Sequence, residues 1–404
     1  MSQLSNPIAL DSYSRFMVQA FDERDIIGVP TAFQAFFGRP ETGGKTLFSP
    51  NSSVVDIDIL RGNEKIAPLI RRGVVSTNSS GMSTQEGKST NQSRIYPLIE
   101  EEGSISASEL NDRVAGEAVS GSGVTKEGRL RLKALAIHKE HVRRIARTFE
   151  VLCAQSILTG KMDAIIGTSE TALQYDFRRL ATHIITVGTA WDAATPDIMG
   201  DFDTACGLIR QDGHVTADMT IIGEGAFSAF LNDTTTKALA DNRRIEMIQV
   251  SKNHPVPDKF ARFIAGGLTP RGSLTTPGGR TLWMFTYDDL YVDLSDASTL
   301  YMPTGSALVC ASGARCDRYF GPSELLPMDT VRSTWYQSLF GFSPAIPPMP
   351  PNIKGMDHAI NPAMFYHDAY HGGNQKGVTV RSQAAPIFST TMTDAFVTLN
   401  GLLT

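Results

Sequence analysis

Chemistry is sought first in the histidines, cysteines and glycine-rich turns. His367 and His371 stand four apart. On a helix that spacing aims two imidazoles at one ion. Gly372-Gly373 follows at once and no third ligand is evident, so loop histidines are expected and no metal site. Gly43-Gly44-Lys45-Thr46 has the tail of a phosphate-binding loop, but the pattern needs glycine at position 39, where Arg39 stands. A turn is expected there. Gly121-Ser122-Gly123 precedes a helical stretch, yet Lys126 occupies the third glycine position of a dinucleotide fingerprint, which favours a hinge. Cys310 and Cys316 lack the spacing of a zinc knuckle. Asp288-Asp289 reads as a turn, and no G-x-S-x-G elbow exists. No cofactor, metal or catalytic set is expected, and the enzyme classes recede.

The chain has 404 residues, 41% apolar and 20% charged, enough for a sizeable core. Lysine plus arginine number 37 against 42 acids, a net charge of −5, so polyanion binding is confined to local patches. Four cysteines (Cys153, Cys206, Cys310 and Cys316) suit a reducing compartment and leave intersubunit disulfides open after release from it. No apolar run reaches the ~18 residues of a membrane span, and the start lacks a secretory pattern. Neither membrane nor secretion is expected.

The first ~50 residues read as an arm. Its apolar patches, Phe16 to Phe21 and Phe33 to Phe37, must dock elsewhere. Val54 to Ile59 alternates with period two, a half-buried strand. In residues 76–93, fifteen of eighteen are Ser, Thr, Asn, Gln or Gly, too polar to order alone. This is either a disordered surface loop or an arm that orders on a neighbour. Residues 125–159 carry one apolar stripe, Leu135, Val142, Ile145, Phe149 and Leu152, with Gly160 as the stop. A helix of that length spans about 50 Å. Its cations, Lys126, Arg129, Arg131, Lys133, Lys139, Arg143, Arg144 and Arg147, outnumber Glu127, Glu140 and Glu150. They form a solvated face, a phosphate-facing surface or a docking strip for another subunit's acids, with Glu100-Glu101-Glu102 as a candidate partner. Beyond 190 a mixed α/β lobe is expected. Thr195-Pro196 would open a helix. Strands are expected at Met219 to Ile222, Phe263-Ile264, Thr281 to Thr286 and Leu308 to Ala311, with a short helix at Ala226 to Leu231. Residues 344–351 hold five prolines and read as a linker. Val378 to Arg381 and Phe396 to Leu399 read as closing strands.

This order resembles the lambda-type major capsid proteins of tailed bacteriophages, the major capsid protein E family with the Hong Kong 97-like fold. Val55 to Ile70 followed by Arg71-Arg72-Gly73 resembles the strand entering that family's extended loop. Ile95-Tyr96-Pro97-Leu98-Ile99, with Ile105 to Leu110, resembles the return into an acidic segment. Leu158-Thr159-Gly160-Lys161 resembles the end of the spine helix, Asp317 to Pro322 the segment closing the axial lobe, and Lys376 to Ile387 the closing strand.

The resemblance implies an α+β fold. It places an N-terminal arm and first strand at 1–60, an extended β-hairpin loop at 61–98, and a peripheral domain at 99–187 with its spine helix at 125–159. An α/β axial domain at 188–330 and a second peripheral part at 331–404 complete it. It implies a non-enzymatic head protein that self-assembles into hexamers and pentamers of an icosahedral shell around double-stranded DNA. The partners are other copies of itself, portal, scaffold and decoration or head-completion proteins, with at most non-specific DNA contact. The site is the virion, assembled in the host cytoplasm. Arg71, Arg72, Met82, Lys88 and Arg94 are expected at intersubunit loop contacts. Lys126, Arg129, Lys133, Arg143, Arg144 and Arg147 form the charged face of the spine helix, read as facing neighbouring acids. Gly121 and Gly123 are hinge positions for head expansion. Lys88 cross-linking is not expected, because lambda-type members use decoration proteins. An encapsulin-like shell around a cargo enzyme is the alternative; a soluble hydrolase or metal enzyme is a third class.

Overall fold

A computed structural model describes residues 29–49, 54–59, 90–106, 108–109, 126–164, 173–234, 236–237, 245–247, 256–293, 296–322, 366–371 and 377–404. The Phe16 to Phe21 patch, the polar tip, the hinge glycines and the proline-rich stretch lie outside these residues.

Strand β1 (Thr46–Phe48) pairs in parallel with Asp317–Phe320, which pairs antiparallel with Pro386–Ser389. Strands β2 (Val54–Ile59) and β3 (Thr90–Ile95) form an antiparallel pair. In β2 burial alternates strictly, with Val55, Ile57 and Ile59 inward, as period two requires. Strand β4 (Ile99–Ser106) pairs with Gly377–Ala384, whose other edge takes Tyr366–His371.

Helix α1 spans Lys126–Thr159. Val142, Ile145, Phe149 and Leu152 of its stripe are buried, and Leu135 is partly buried. Gly160 ends it in the left-handed region at φ +70°, and its N–H reaches Ser156 O at 3.1 Å. Arg179 donates to Leu158 O at 2.9 Å and Thr398 Oγ1 to the same carbonyl at 2.7 Å, so this helix end is tied to the sheet. A Cβ at Gly160 would lie 2.5 Å from Arg179 Cβ. Gly160→Ala is therefore expected to lower stability by about 1–2 kcal/mol through strain and a displaced cap, read as a lower urea midpoint with unchanged slope.

A seven-stranded sheet forms the second lobe. Its order is Ile184–Thr186, Phe396–Asn400, Ala307–Cys310, Met219–Ile222, Thr281–Thr286, Thr269–Thr275, Ile245–Met247. Successive residues alternate between two cores. Ile221, Phe285, Leu308 and Phe396 face the core shared with α1, while Ile222, Met284, Val309 and Val397 face helices α2 (Ile198–Asp212) and α3 (Glu224–Asn232). Burial on both faces explains why these strands read as short continuous apolar runs.

Four sequence expectations change. The Phe33 to Phe37 patch does not wait for a neighbour: Phe33, Phe36 and Phe37 are buried in the chain's own core, with Phe36 4.5 Å from Phe263 and Phe37 5.5 Å from Phe388 between ring centroids. Phe263-Ile264 is not a strand but part of a one-turn helix, Ala261–Ala265. The cap of α2 is Asp197, whose side chain accepts from Gly200 N–H at 3.0 Å, and not Thr195. The last strand, Phe396–Asn400, lies inside the seven-stranded sheet, apart from the sheet of Tyr366–His371 and Gly377–Ala384 with which the sequence reading grouped it.

Candidate functional site

The residues that could do chemistry are dispersed. His367 and His371 lie on a strand, opposite Ser382 and Val378. Four residues along a strand separate them by about 13 Å, too far to share one ion. Among the described residues, no group of three His, Cys, Asp or Glu is placed to hold a metal. Gly43, at φ +73°, closes a turn; Lys45 N–H then donates to Asp317 Oδ1 at 2.7 Å and Thr46 begins β1. A strand follows where a phosphate loop needs a helix. Asp288 and Asp289 turn the chain into the hairpin of Leu290–Val292 and Ser298–Leu300. No helix among the described residues is long and apolar enough to cross a membrane.

All four cysteines are free and buried. Burial pushes Cys206 up to about 11 and lifts the Cys153, Cys310 and Cys316 thiols further. A thiolate is the species that exchanges or alkylates. Native protein is expected to resist maleimide labelling, with four thiols reacting after denaturation, and the denatured chain is expected to give a monomer band on a gel with or without reductant. Labelling of the native protein at any cysteine would overturn this.

The charged face of α1 is partly occupied by the chain itself. Arg144 lies 3.4 Å from Glu101 on β4 and 3.4 Å from Glu140, one turn earlier. Arg147 lies 3.9 Å from Glu140, and Lys133 donates to Glu109 O at 2.6 Å. Arg381 takes Glu100 at 3.1 Å and Glu102 at 3.7 Å. The acidic triplet therefore meets Arg144 and Arg381 within one copy. These pairs are exposed or half-exposed and each contributes about 0–1 kcal/mol. Arg143 is exposed, Arg129 and Lys139 are half-buried, and Lys126 opens the helix. His141, one turn before Ile145, sits under Gly103 with Nδ1 3.2 Å from Ser382 Oγ; burial lowers its pKa.

Sequence reasoning missed Glu150. It was counted with the solvated charges, yet it is fully buried. Its Oε1 accepts Phe33 N–H at 2.7 Å and Tyr287 O–H at 3.0 Å; its Oε2 accepts Gln34 N–H at 3.0 Å. Gln34 Nε2 donates to Ala146 O at 3.0 Å. One carboxyl thus joins the segment at 33–34, α1 and the end of an axial strand. Burial pushes its pKa up to about 7, against the opposing pull of these donors. The available signal was register: Ala146, Glu150, Cys153 and Ile157 continue the buried face of the helix.

An apolar patch surrounds the β2–β3 stem. Val54 and Ile95 are direct cross-strand partners and are 40% and 60% exposed. Leu47, Phe48 and Leu98 are also exposed, and Phe48 stacks on Phe320 at 5.3 Å. Ser49 Oγ and Tyr96 Oη, 2.8 Å apart, bring the end of β1 to the end of β3. Of nine exposed large apolar side chains among the described residues, five stand here, so the exposure is a patch and not a scatter. Arg94 is half-buried beside it, opposite Val55. Arg71, Arg72, Met82 and Lys88 lie outside the described residues.

Comparison with known proteins follows this geometry. The family model described as phage major capsid protein E matches residues 39–330. Among curated proteins, none matches the chain by sequence. In structure the chain is similar to a prophage protein of Escherichia coli CFT073 assigned as a capsid protein, with 14% identity, TM-score 0.58, and coverage of 96% of this chain and 97% of that one. It is also similar to a phage-related protein of Bordetella bronchiseptica RB50 (10% identity, TM-score 0.42, coverage 100% and 99%) and to the mature capsid of bacteriophage PhiM1 (8% identity, TM-score 0.41, coverage 89% and 86%). The fold likeness rests on the first of these. With a family model covering well over half of its length, the chain belongs to the phage major capsid protein E family and is a structural protein of the capsid shell.

Proposed function

We propose that copies of this chain assemble into hexamers and pentamers of an icosahedral head that encloses double-stranded DNA. Assembly takes place in the host cytoplasm with portal, scaffold and decoration or head-completion proteins. The observation that carries this reading is the apolar patch of Leu47, Phe48, Val54, Ile95 and Leu98 at the base of the excursion. Apolar surface gathered in that way is what a neighbouring copy covers. The loop at 61–98 then lies over the adjacent subunit, with Arg71, Arg72, Met82, Lys88 and Arg94 at its contacts. Gly121 and Gly123 serve as hinges when the head expands. Among the α1 cations whose side chains are described, Arg143 is exposed and is placed to meet DNA phosphates or a neighbour's acids.

Weak contacts repeated over symmetric copies allow errors to dissociate, while their sum makes the finished shell persistent. Negative-stain microscopy of the purified protein, followed by nuclease treatment and extraction of the particle contents, tests this. Closed shells or capsomer rings with nuclease-protected double-stranded DNA in native particles support it. A monomeric species at high concentration overturns it, and shells filled with a second protein in place of DNA give the encapsulin-like alternative.

A further inference from the structure

The Glu150 junction has a property that the shell does not require. It joins three parts of the chain that are distant in sequence: the segment at 31–37, α1, and Tyr287, which follows the strand Thr281–Thr286. Everything that binds the carboxyl is a donor, and among the described residues no cation forms an ion pair with it. Cys153 of α1 and Tyr287 and Tyr301 face the carboxyl, Asp289 lies beside both tyrosines and Arg147 acts on Tyr301; from the N-terminal segment come the main-chain N–H groups and the Gln34 amide. Phe33 packs edge-on against Tyr287 at 5.5 Å, so loosening one loosens the other.

We propose that Glu150 is a proton-operated tie that clamps the segment at 31–37 and the axial lobe to the long helix, tightest when its carboxyl is protonated.

The sign follows from linkage. In the closed junction Glu150 titrates at about 7, whereas a solvated glutamate titrates at 4.5. Between those values the closed form holds the extra proton. Closure is therefore fully favoured below pH ~4.5 and weakens as pH rises through about 7, where the buried carboxylate forms. The ratio of open to closed junction is expected to rise roughly tenfold between about pH 6 and about pH 8.5.

Hydrogen–deuterium exchange on the full-length protein tests the tie, with exchange times scaled for the intrinsic pH dependence of amide exchange. The peptides to follow cover residues 29–37 and 281–290. In the wild type, protection of both falls together by about tenfold over that range. Glu150→Gln carries no titrating proton and keeps an acceptor for Phe33 and Tyr287, so its protection stays flat. Tyr287→Phe removes a donor that favours the ionised form, so its transition moves to higher pH. A wild-type profile without a transition, or a transition unchanged in Glu150→Gln, overturns the proposal. If Glu150→Gln does not fold, the direction of the Tyr287→Phe shift decides: an unmoved or lowered midpoint overturns it. Particles on the grid with a flat profile remove the tie alone, whereas a pH transition without particles removes the shell and leaves the tie.

Discussion

Phe149→Ala is expected to lower the stability of the unassembled protein by about 3–5 kcal/mol. Phe149 is 1% exposed and stands where three segments of sequence converge. Its ring lies 5.4 Å from that of Phe388 on one closing strand and 6.0 Å from that of Phe320 on the strand that receives β1. Phe320 and Phe388 pack edge to face at 6.3 Å, so the three rings form a closed set. Removing one leaves a cavity that the other two cannot fill, because each is held by strand pairing through Asp317–Phe320 and Pro386–Ser389. The check is urea unfolding followed by tryptophan fluorescence: a lower midpoint at unchanged slope. A loss below about 1 kcal/mol would mean that the site collapses around the deletion and that α1 is not rigidly seated.

Asp317→Ala is the second. Asp317 is 1% exposed, and its carboxylate accepts four hydrogen bonds from three residues. Arg315 grips it with two nitrogens at 3.2 and 2.9 Å, Lys45 N–H reaches it at 2.7 Å and Thr391 Oγ1 at 2.9 Å. The hydrogen bond to Asp317 raises the Arg315 pKa. Alanine leaves the guanidinium, a main-chain N–H and a hydroxyl without this acceptor, at a cost of about 3–5 kcal/mol. Because Lys45 and Arg318 bracket the start of β1, local loss is expected there first. Limited proteolysis should cut near residues 43–46 in the variant well before the rest of the chain. Asp317→Asn, which keeps the shape and one acceptor oxygen but neither the charge nor the second acceptor, is expected to fall between wild type and Asp317→Ala. An unaltered proteolysis pattern in Asp317→Ala would show that β1 is held by its ladder alone.

What could be read from the sequence depended on the range of the interaction. The long helix was legible because its stripe repeats within one turn and Gly160 supplies a left-handed stop. Strand β2 was legible because alternation needs only neighbours. Phe263-Ile264 was not, since a two-residue apolar run fits a buried helix turn as well as a strand. The Phe33 to Phe37 patch could be read only as docking elsewhere, because its partners, Phe263, Phe388 and Phe396, come more than 200 residues later. No local pattern reports such a contact. Glu150 was hidden for a related reason: charge counting sees a carboxylate on a basic helix, and only the fold brings Phe33, Gln34 and Tyr287 to it. The family order of elements was legible where individual roles were not, because order survives when single contacts are invisible.

The placement of Phe396–Asn400 has a consequence for how the chain is made. This strand is hydrogen-bonded on one side to Ala307–Cys310 and on the other to Ile184–Thr186. Until residue 400 has left the ribosome, the seven-stranded sheet is missing an interior member and Ile184–Thr186 has no place in it. A nascent copy therefore cannot present a finished axial lobe to its siblings during translation. A product cut short before this strand lacks an interior member of its own sheet.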